Sequence, residues 1–214
     1  MKKHWRLLLS ILPESLERKG YEGYFQKMHH AWVAENCPVP VSYVTKHSAI
    51  RKAAQKYHIK TLVETGTYLG DTMYMLYPDF DALYSIELSP IFHNRAKKRF
   101  RSMPNIHLLQ GDSGKEMAKL VTKLKAPALF WLDGHYSGGI TAKGDKECPV
   151  LEELDAIFRS AADHVIYIDD ARLFNGQHDY PTIEEVKNIV AAARPNYMVK
   201  VENDCIQITP ECHD

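Results

Sequence analysis

The sequence predicts an α/β fold: a doubly wound, mostly parallel sheet of seven strands, with an antiparallel hairpin at its C-terminal end and a helical segment before it. Three observations predict it. From about residue 61, short β-rich runs alternate with segments of helical periodicity, which implies parallel strands joined by right-handed crossovers. The runs are nearly continuous in apolar residues, as strands buried on both faces are. The last two runs are too close in sequence for a crossover and can pair only antiparallel.

The elements follow in order. Residues 1–58 are read as a helical cap or lid and 59–214 as the sheet domain. Met1–Leu12 begins with two lysines and turns apolar, like a secretory leader. Arg6 interrupts the apolar run, however, and no small-residue cleavage site follows. The run is also too short to span a bilayer. It is read as an amphipathic helix that packs on the domain or on a second copy in a homodimer. His47–His58 is the clearest helix of this part, and a place on one sheet edge is expected for it.

The strand-like runs are Thr61–Thr65, Ala82–Leu88, Ile106–Gln110, Ala128–Asp133 and Val165–Asp169. Between them, Ser89-Pro90 opens a helix with proline at a tolerated first-turn position. Ser113 is expected to cap the next, with Glu116 three residues on. Pro149–Ala162 places Val150, Leu151, Leu154, Ile157 and Phe158 on one face. Thr182 and Glu185 again have capping-box spacing, ahead of a helix that reaches Ala193. Tyr197–Asn203 and Cys205–Thr209 form the terminal hairpin around an Asn-Asp turn.

Composition narrows the function. The chain has 214 residues, 45 % apolar and 25 % charged, which fits one folded domain. Lys+Arg and Asp+Glu both number 27, so the basic footprint of a nucleic-acid binder is missing. The run Lys97-Lys98-Arg99-Phe100-Arg101 falls at a helix end, where cations suit the dipole. The four cysteines form no C-x-x-C pair, and Cys205, Cys212 and His213 match no zinc spacing. Reduced thiols, a cytoplasmic location and no membrane partner are the expectation.

In open α/β sheets ligands bind beyond the carboxyl ends of the strands, so the residues there matter most. The first strand runs into Glu64-Thr65-Gly66-Thr67-Tyr68-Leu69-Gly70-Asp71-Thr72, a glycine-bearing turn before a helix N-terminus. Its Glu-x-Gly-x-x-x-Gly pattern is not the Gly-x-Gly-x-x-Gly of dinucleotide folds. Glu87 ends the second strand, about twenty residues on, where a carboxylate can accept ribose hydroxyls. Gly111-Asp112-Ser113 ends the third. Each has a plain structural alternative: Glu87 as a surface acid, Asp112 as a helix cap.

Taken together these residues resemble the first three motifs of class I S-adenosylmethionine-dependent methyltransferases, over about residues 60 to 210. The resemblance implies a Rossmann-like fold with S-adenosyl-L-methionine as cofactor. It places Glu64, Thr65, Gly66, Thr67, Gly70, Asp71 and Thr72 at the cofactor's amino-acid part. Glu87 would hold the ribose, and Asp112 and Ser113 the adenine end, with Asp133 alongside.

The fourth strand ends Asp133-Gly134-His135 and the fifth Asp169-Asp170. If these ends are neighbours, three carboxylates converge, and they repel unless a cation neutralises them. Oxygen ligands suit a hard ion such as Mg²⁺. Asp133, Asp169 and Asp170 are therefore the expected metal ligands, with a plain turn as the alternative for the Asp-Asp pair. The arrangement is similar to metal-dependent O-methyltransferases of the macrocin, sugar-modifying type. That similarity implies a hydroxylated small-molecule acceptor, a sugar or natural product. No lysine closely follows Asp133, unlike the catechol-type enzymes. His135 is read as the general base beside Asp133, with His178 a second choice. The glycine-rich loop Ser137–Cys148 is expected to shape acceptor choice. Lys143, Lys146 and Arg172 are basic residues near it. Two other readings stand beside this one: an NAD-dependent oxidoreductase, since Glu87 would suit that ribose too, and a non-catalytic Rossmann-like binding domain.

Overall fold

The computed structural model describes residues 14–134 and 148–211. Met1–Leu12, His135, Lys143, Lys146, Cys212, His213 and the loop Ser137–Glu147 lie outside them. The helices are α1 (Glu14–Ala34), α2 (Tyr43–Lys56), α3 (Asp71–Leu76), α4 (Pro90–Arg99), α5 (Ser113–Val121), α6 (Val150–Phe158) and α7 (Ile183–Ala193). The strands are β1 (Thr61–Thr65), β2 (Ala82–Glu87), β3 (Ile106–Gln110), β4 (Leu129–Leu132), β5 (Val165–Ile168), β6 (Tyr197–Glu202) and β7 (Cys205–Pro210).

They form one seven-stranded sheet in the order β3-β2-β1-β4-β5-β7-β6. β7 runs antiparallel to both neighbours, and the other strand pairs are parallel. The chain winds outward through β2 and β3, then returns to the other side of β1 for β4 and β5. The reversal of order therefore falls between β1 and β4, where such sheets open a crevice. Register brings the strand tips level. Thr65 pairs with Ile86 and with Leu132, Glu87 with Gln110, and Leu132 with Ile168.

The unbroken apolar runs have a plain cause. Successive residues of a strand point to opposite faces, and here both faces are covered. Val63, Phe130 and Leu132 join the core under α5, α6 and α7, with Met117, Leu154 and Val190. Leu62, Leu129 and Trp131 join the core under α1 to α4, with Tyr21, Phe25, Ile50 and Tyr74. The N-terminal helices thus cover a sheet face instead of an edge. Tyr21 and Phe25 of α1 and Ile50 of α2 are buried there, and burying this apolar surface on the sheet is what sets their position.

Local signals held at several termini. Ser89 caps α4 with Pro90 in its first turn, and Thr182 and Glu185 close a reciprocal capping box on α7. Asn203 and Asp204 both adopt positive φ, 52° and 55°, as a tight two-residue hairpin turn requires. Two details differ. Asp112, not Ser113, caps α5; its carboxylate accepts from Lys115 N–H at 3.3 Å, while Ser113 is buried as the first helical residue. Both are short polar caps, and the one with extended backbone takes the role. α6 stops at Phe158, and Leu151 faces solvent while Glu153 is buried. No helix among the described residues is long and apolar enough to cross a membrane.

Candidate active site

The tips of β1, β2 and β4 are joined at close quarters. Gly66, at φ 82°, donates its N–H to Ile86 C=O at 2.9 Å. A Cβ at Gly66 would land on the carbonyl oxygen of Asp133, 3.0 Å from that carbonyl carbon. Thr65 Oγ1 accepts from Asp133 N–H at 3.2 Å, and Gly134 packs against the Thr65 side chain and Ser113 Oγ. Backbone here approaches backbone as closely as glycine allows.

Behind the turn lies a buried polar chain. Thr67 Oγ1 and Ser85 Oγ are 2.6 Å apart, and Ser85 donates to Glu64 Oε2 at 2.7 Å. Glu64 is 3 % exposed. Burial holds its pKa well above the usual carboxylate range, the Ser85 hydrogen bond works against that, and the carboxylates of Asp133, Glu87 and Asp71 add to it. Glu87 sits beside this chain. Its Oε2 accepts from Tyr68 N–H and its Oε1 from Ser89 N–H, each at 2.8 Å. An ionised carboxylate has about four lone-pair sites, so capacity for ribose hydroxyls remains.

The other residues of the turn serve its shape. Asp71 accepts from Arg99 at 2.8 Å, and the same guanidinium also donates to Leu69 C=O. Gly70 caps α3 at φ 74°, where a Cβ would strike the Phe100 ring. Thr72 lies partly exposed in the first turn of α3, and Asp112 and Ser113 open α5 after β3, two sheet positions from β1. Ser85 was not singled out by sequence. Its signal is a lone serine among the apolar residues of β2, Ala82–Ile86.

Beyond β4 and β5 the arrangement differs from expectation. Among the described residues no group of three His, Cys, Asp or Glu side chains is placed to hold a metal ion. Instead Lys46 of α2 lies in the field of Asp169, Asp133 and Asp170. Its ammonium contacts Asp169 Oδ2 and stands 4.0 Å from Asp170 Oδ1. Burial works against that charge, but Asp169, Asp133 and Asp170 outweigh it, and the Lys46 pKa is raised. Asp170, in left-handed backbone at φ 55°, also accepts from Arg172 at 2.7 Å, and that guanidinium reaches Asp204 in the β6–β7 turn. The side chains present therefore do not fit a magnesium triad: a cation of the chain is already paired with Asp169 and stands beside Asp170. Lys46 is 123 residues from Asp169, and no local pattern pointed to it. His178 is exposed on the loop after β5. A small cleft beyond β4 and β5 is lined by Leu132, Gly134, Cys148, Val150, Ile168 and Phe174.

No protein-family model matches the chain, and no curated protein is similar to it in sequence. Solved structures do match in fold. An O-methyltransferase from Bacillus cereus, in complex with S-adenosylhomocysteine, superposes with a TM-score of 0.57 at 13 % identity, over 87 % of this chain and 90 % of that one. The O-methyltransferase TomG from Streptomyces achromogenes, involved in tomaymycin synthesis and solved with S-adenosylmethionine, gives 0.57 at 15 %, over 88 % and 89 %. The S-adenosylhomocysteine-bound methyltransferase PaMTH1 from Podospora anserina gives 0.53 at 19 %, over 94 % and 99 %. The chain has the Rossmann-like fold of class I methyltransferases, with the mostly parallel sheet and antiparallel C-terminal strand of that fold.

Proposed function

We propose that the chain is an S-adenosylmethionine-dependent methyltransferase that methylates a hydroxyl oxygen of a small molecule, a sugar or natural product. The observation that carries this reading is the sign of the crevice. Glu64 stands near the end of β1 in the field of Asp133 and Glu87, and Glu87 stands at the tip of the neighbouring β2, its carboxylate held by Tyr68 N–H and Ser89 N–H. A sulfonium cofactor with a free ammonium brings positive charge to that place and is favoured by it. A dinucleotide would bring its pyrophosphate to the same carboxylates, and the turn lacks the third glycine of that fingerprint. The charge argues against the oxidoreductase reading, and the buried Glu64–Ser85–Thr67 chain argues for a ligand site over a bare scaffold.

S-Adenosylmethionine, when bound, would supply the methyl group to an acceptor oxygen, the electron pair of its carbon–sulfur bond returning to sulfur. Holding the two partners in line supplies most of the acceleration. The hydroxyl proton passes to a base, and His135, next after Gly134 in sequence, is assigned that role. Glu64 and the Gly66–Gly70 turn face the cofactor's amino-acid part, Glu87 the ribose, and Asp112 the adenine.

Calorimetric titration with S-adenosylhomocysteine against NAD tests the reading. S-Adenosylhomocysteine should bind and NAD should not; the reverse would refute the proposal. In Glu87→Ala the affinity for S-adenosylhomocysteine should fall at least about tenfold, and adenosine should weaken in step because it shares the ribose. An unchanged affinity would remove Glu87 from the ribose site. A methyl-transfer screen over hydroxylated acceptors then tests the base. His135→Ala should slow turnover by roughly 10²- to 10⁴-fold without altering cofactor affinity; full turnover would exclude it.

A further inference from the structure

We infer that Lys46 is the built-in cation of the acidic rim: its ammonium stands where a divalent ion would otherwise be needed. The inference deepens the methyltransferase reading and rests on it for the reaction this rim serves. Three observations carry it. Lys46 contacts Asp169 Oδ2, lies 4.0 Å from Asp170 Oδ1 and sits in the field of Asp133, so it touches or faces every carboxylate of the expected metal triad. Its side chain is 15 % exposed while that of Asp169 is 2 % exposed, so the pair is largely shielded from water, with the lysine on its more open side. Asp169 Oδ1 is a buried acceptor without a hydrogen-bond partner among the described residues.

Charge and valence explain the arrangement. Three clustered carboxylates require positive charge nearby. A divalent ion there would meet an ammonium already in contact with Asp169, and two like charges at that distance exclude one another. Lysine is a compact point charge with three donors. Asp169 and Asp170 stand on the same ammonium, the first in contact and the second at 4.0 Å. Other packing keeps the ammonium in place. α2 is fixed by Ile50, Ala53 and Ala54 against the sheet face, and the Lys46 ammonium lies 6.0 Å from the Trp131 ring centre. Arg172 meanwhile holds Asp170 from the opposite side through the β6–β7 turn.

Binding of Mn²⁺, followed by the loss of its free electron paramagnetic signal, tests this on the full chain without an acceptor. The wild type should show no saturable binding. Lys46→Met, similar in length and uncharged, should bind Mn²⁺ at least about tenfold more tightly than the wild type, and adding Asp169→Asn should abolish the gain. Lys46→Gln serves as a second variant should the methionine form misfold, with the melting curve as the check. A purely structural lysine would not change metal affinity. Saturable Mn²⁺ binding by the wild type that Asp169→Asn removes would overturn the inference, and so would folded Lys46 variants with no gain. S-Adenosylhomocysteine titrated into the same samples keeps the two readings apart: its failure to bind would sink the methyltransferase, while the Mn²⁺ result would still decide the role of Lys46.

Discussion

Gly66→Ala should destabilise the protein by about 3 kcal/mol or more and abolish S-adenosylhomocysteine binding. Two separate costs add. At φ 82° an L-residue is strained, by about 1–3 kcal/mol for such conformations. The new methyl would also land on the Asp133 carbonyl oxygen, which is backbone and cannot swing aside as a side chain would. Relief requires the tips of β1 and β4 to separate. That would pull Asp133 N–H from Thr65 Oγ1 and loosen the contact between Gly134 and Thr65. A domain of this size loses roughly 2–4 °C of melting temperature per kcal/mol, so a fall near 10 °C is expected. Gly23→Ala is the control. Gly23 lies in α1 with open space around its Cα and negative φ, so alanine there should raise stability by about 0.5–1 kcal/mol. A Gly66→Ala protein that melts within a degree or two of the wild type would mean that the close approach of β1 and β4 is wrong.

That glycine shows where sequence could be read and where it could not. The turn Glu64–Thr72 announced itself, because a strand followed by spaced glycines before a helix needs a tight backbone. The continuous apolar strands, the Asn203-Asp204 hairpin and the Thr182 capping box were equally legible, since each depends on neighbours within a few positions. Register then did the rest, setting Glu87, Asp133 and Asp169 at the strand tips with Glu64 two residues below them. The failures share a different cause. Nothing local to Lys46 says that it will stand between Asp169 and Asp170; α2 must first pack its apolar side on the sheet. The need for a cation beside three carboxylates was sound physics, but the sequence offered no means of telling a bound ion from a lysine far along the chain. Ser85 was hidden likewise, its hydroxyl meaningful only once β2 lay beside β1. Arg99, also remote in sequence, meets the Asp71 carboxylate at 2.8 Å, a partner that no local pattern announces.

Glu64→Gln should move stability and binding in opposite directions, which separates a ligand-binding group from a structural one. Burial raises the Glu64 pKa in the folded state above its ordinary value, with Asp133, Glu87 and Asp71 adding to the shift and Ser85 opposing it. Between those two values the folded chain holds a proton that the unfolded chain has lost. Folding is therefore progressively disfavoured as pH rises from the ordinary carboxylate range through the folded pKa. Glutamine keeps the size and still accepts from Ser85, but it has no charge to bury. The variant should melt close to the wild type in acid and increasingly above it as pH rises. Its affinity for S-adenosylhomocysteine should fall at least about tenfold, because the ammonium of the ligand's amino-acid part loses a carboxylate partner. Melting curves at several pH values, with calorimetry at neutral pH, read both effects on one sample. A variant that is less stable at high pH would make Glu64 a buried strut held by Ser85. One that gains stability yet binds as tightly would leave the charge of Glu64 without a ligand to serve. The expected combination is the sign of a site in which a deeply buried carboxylate is kept at a cost to the fold because a cationic ligand needs it.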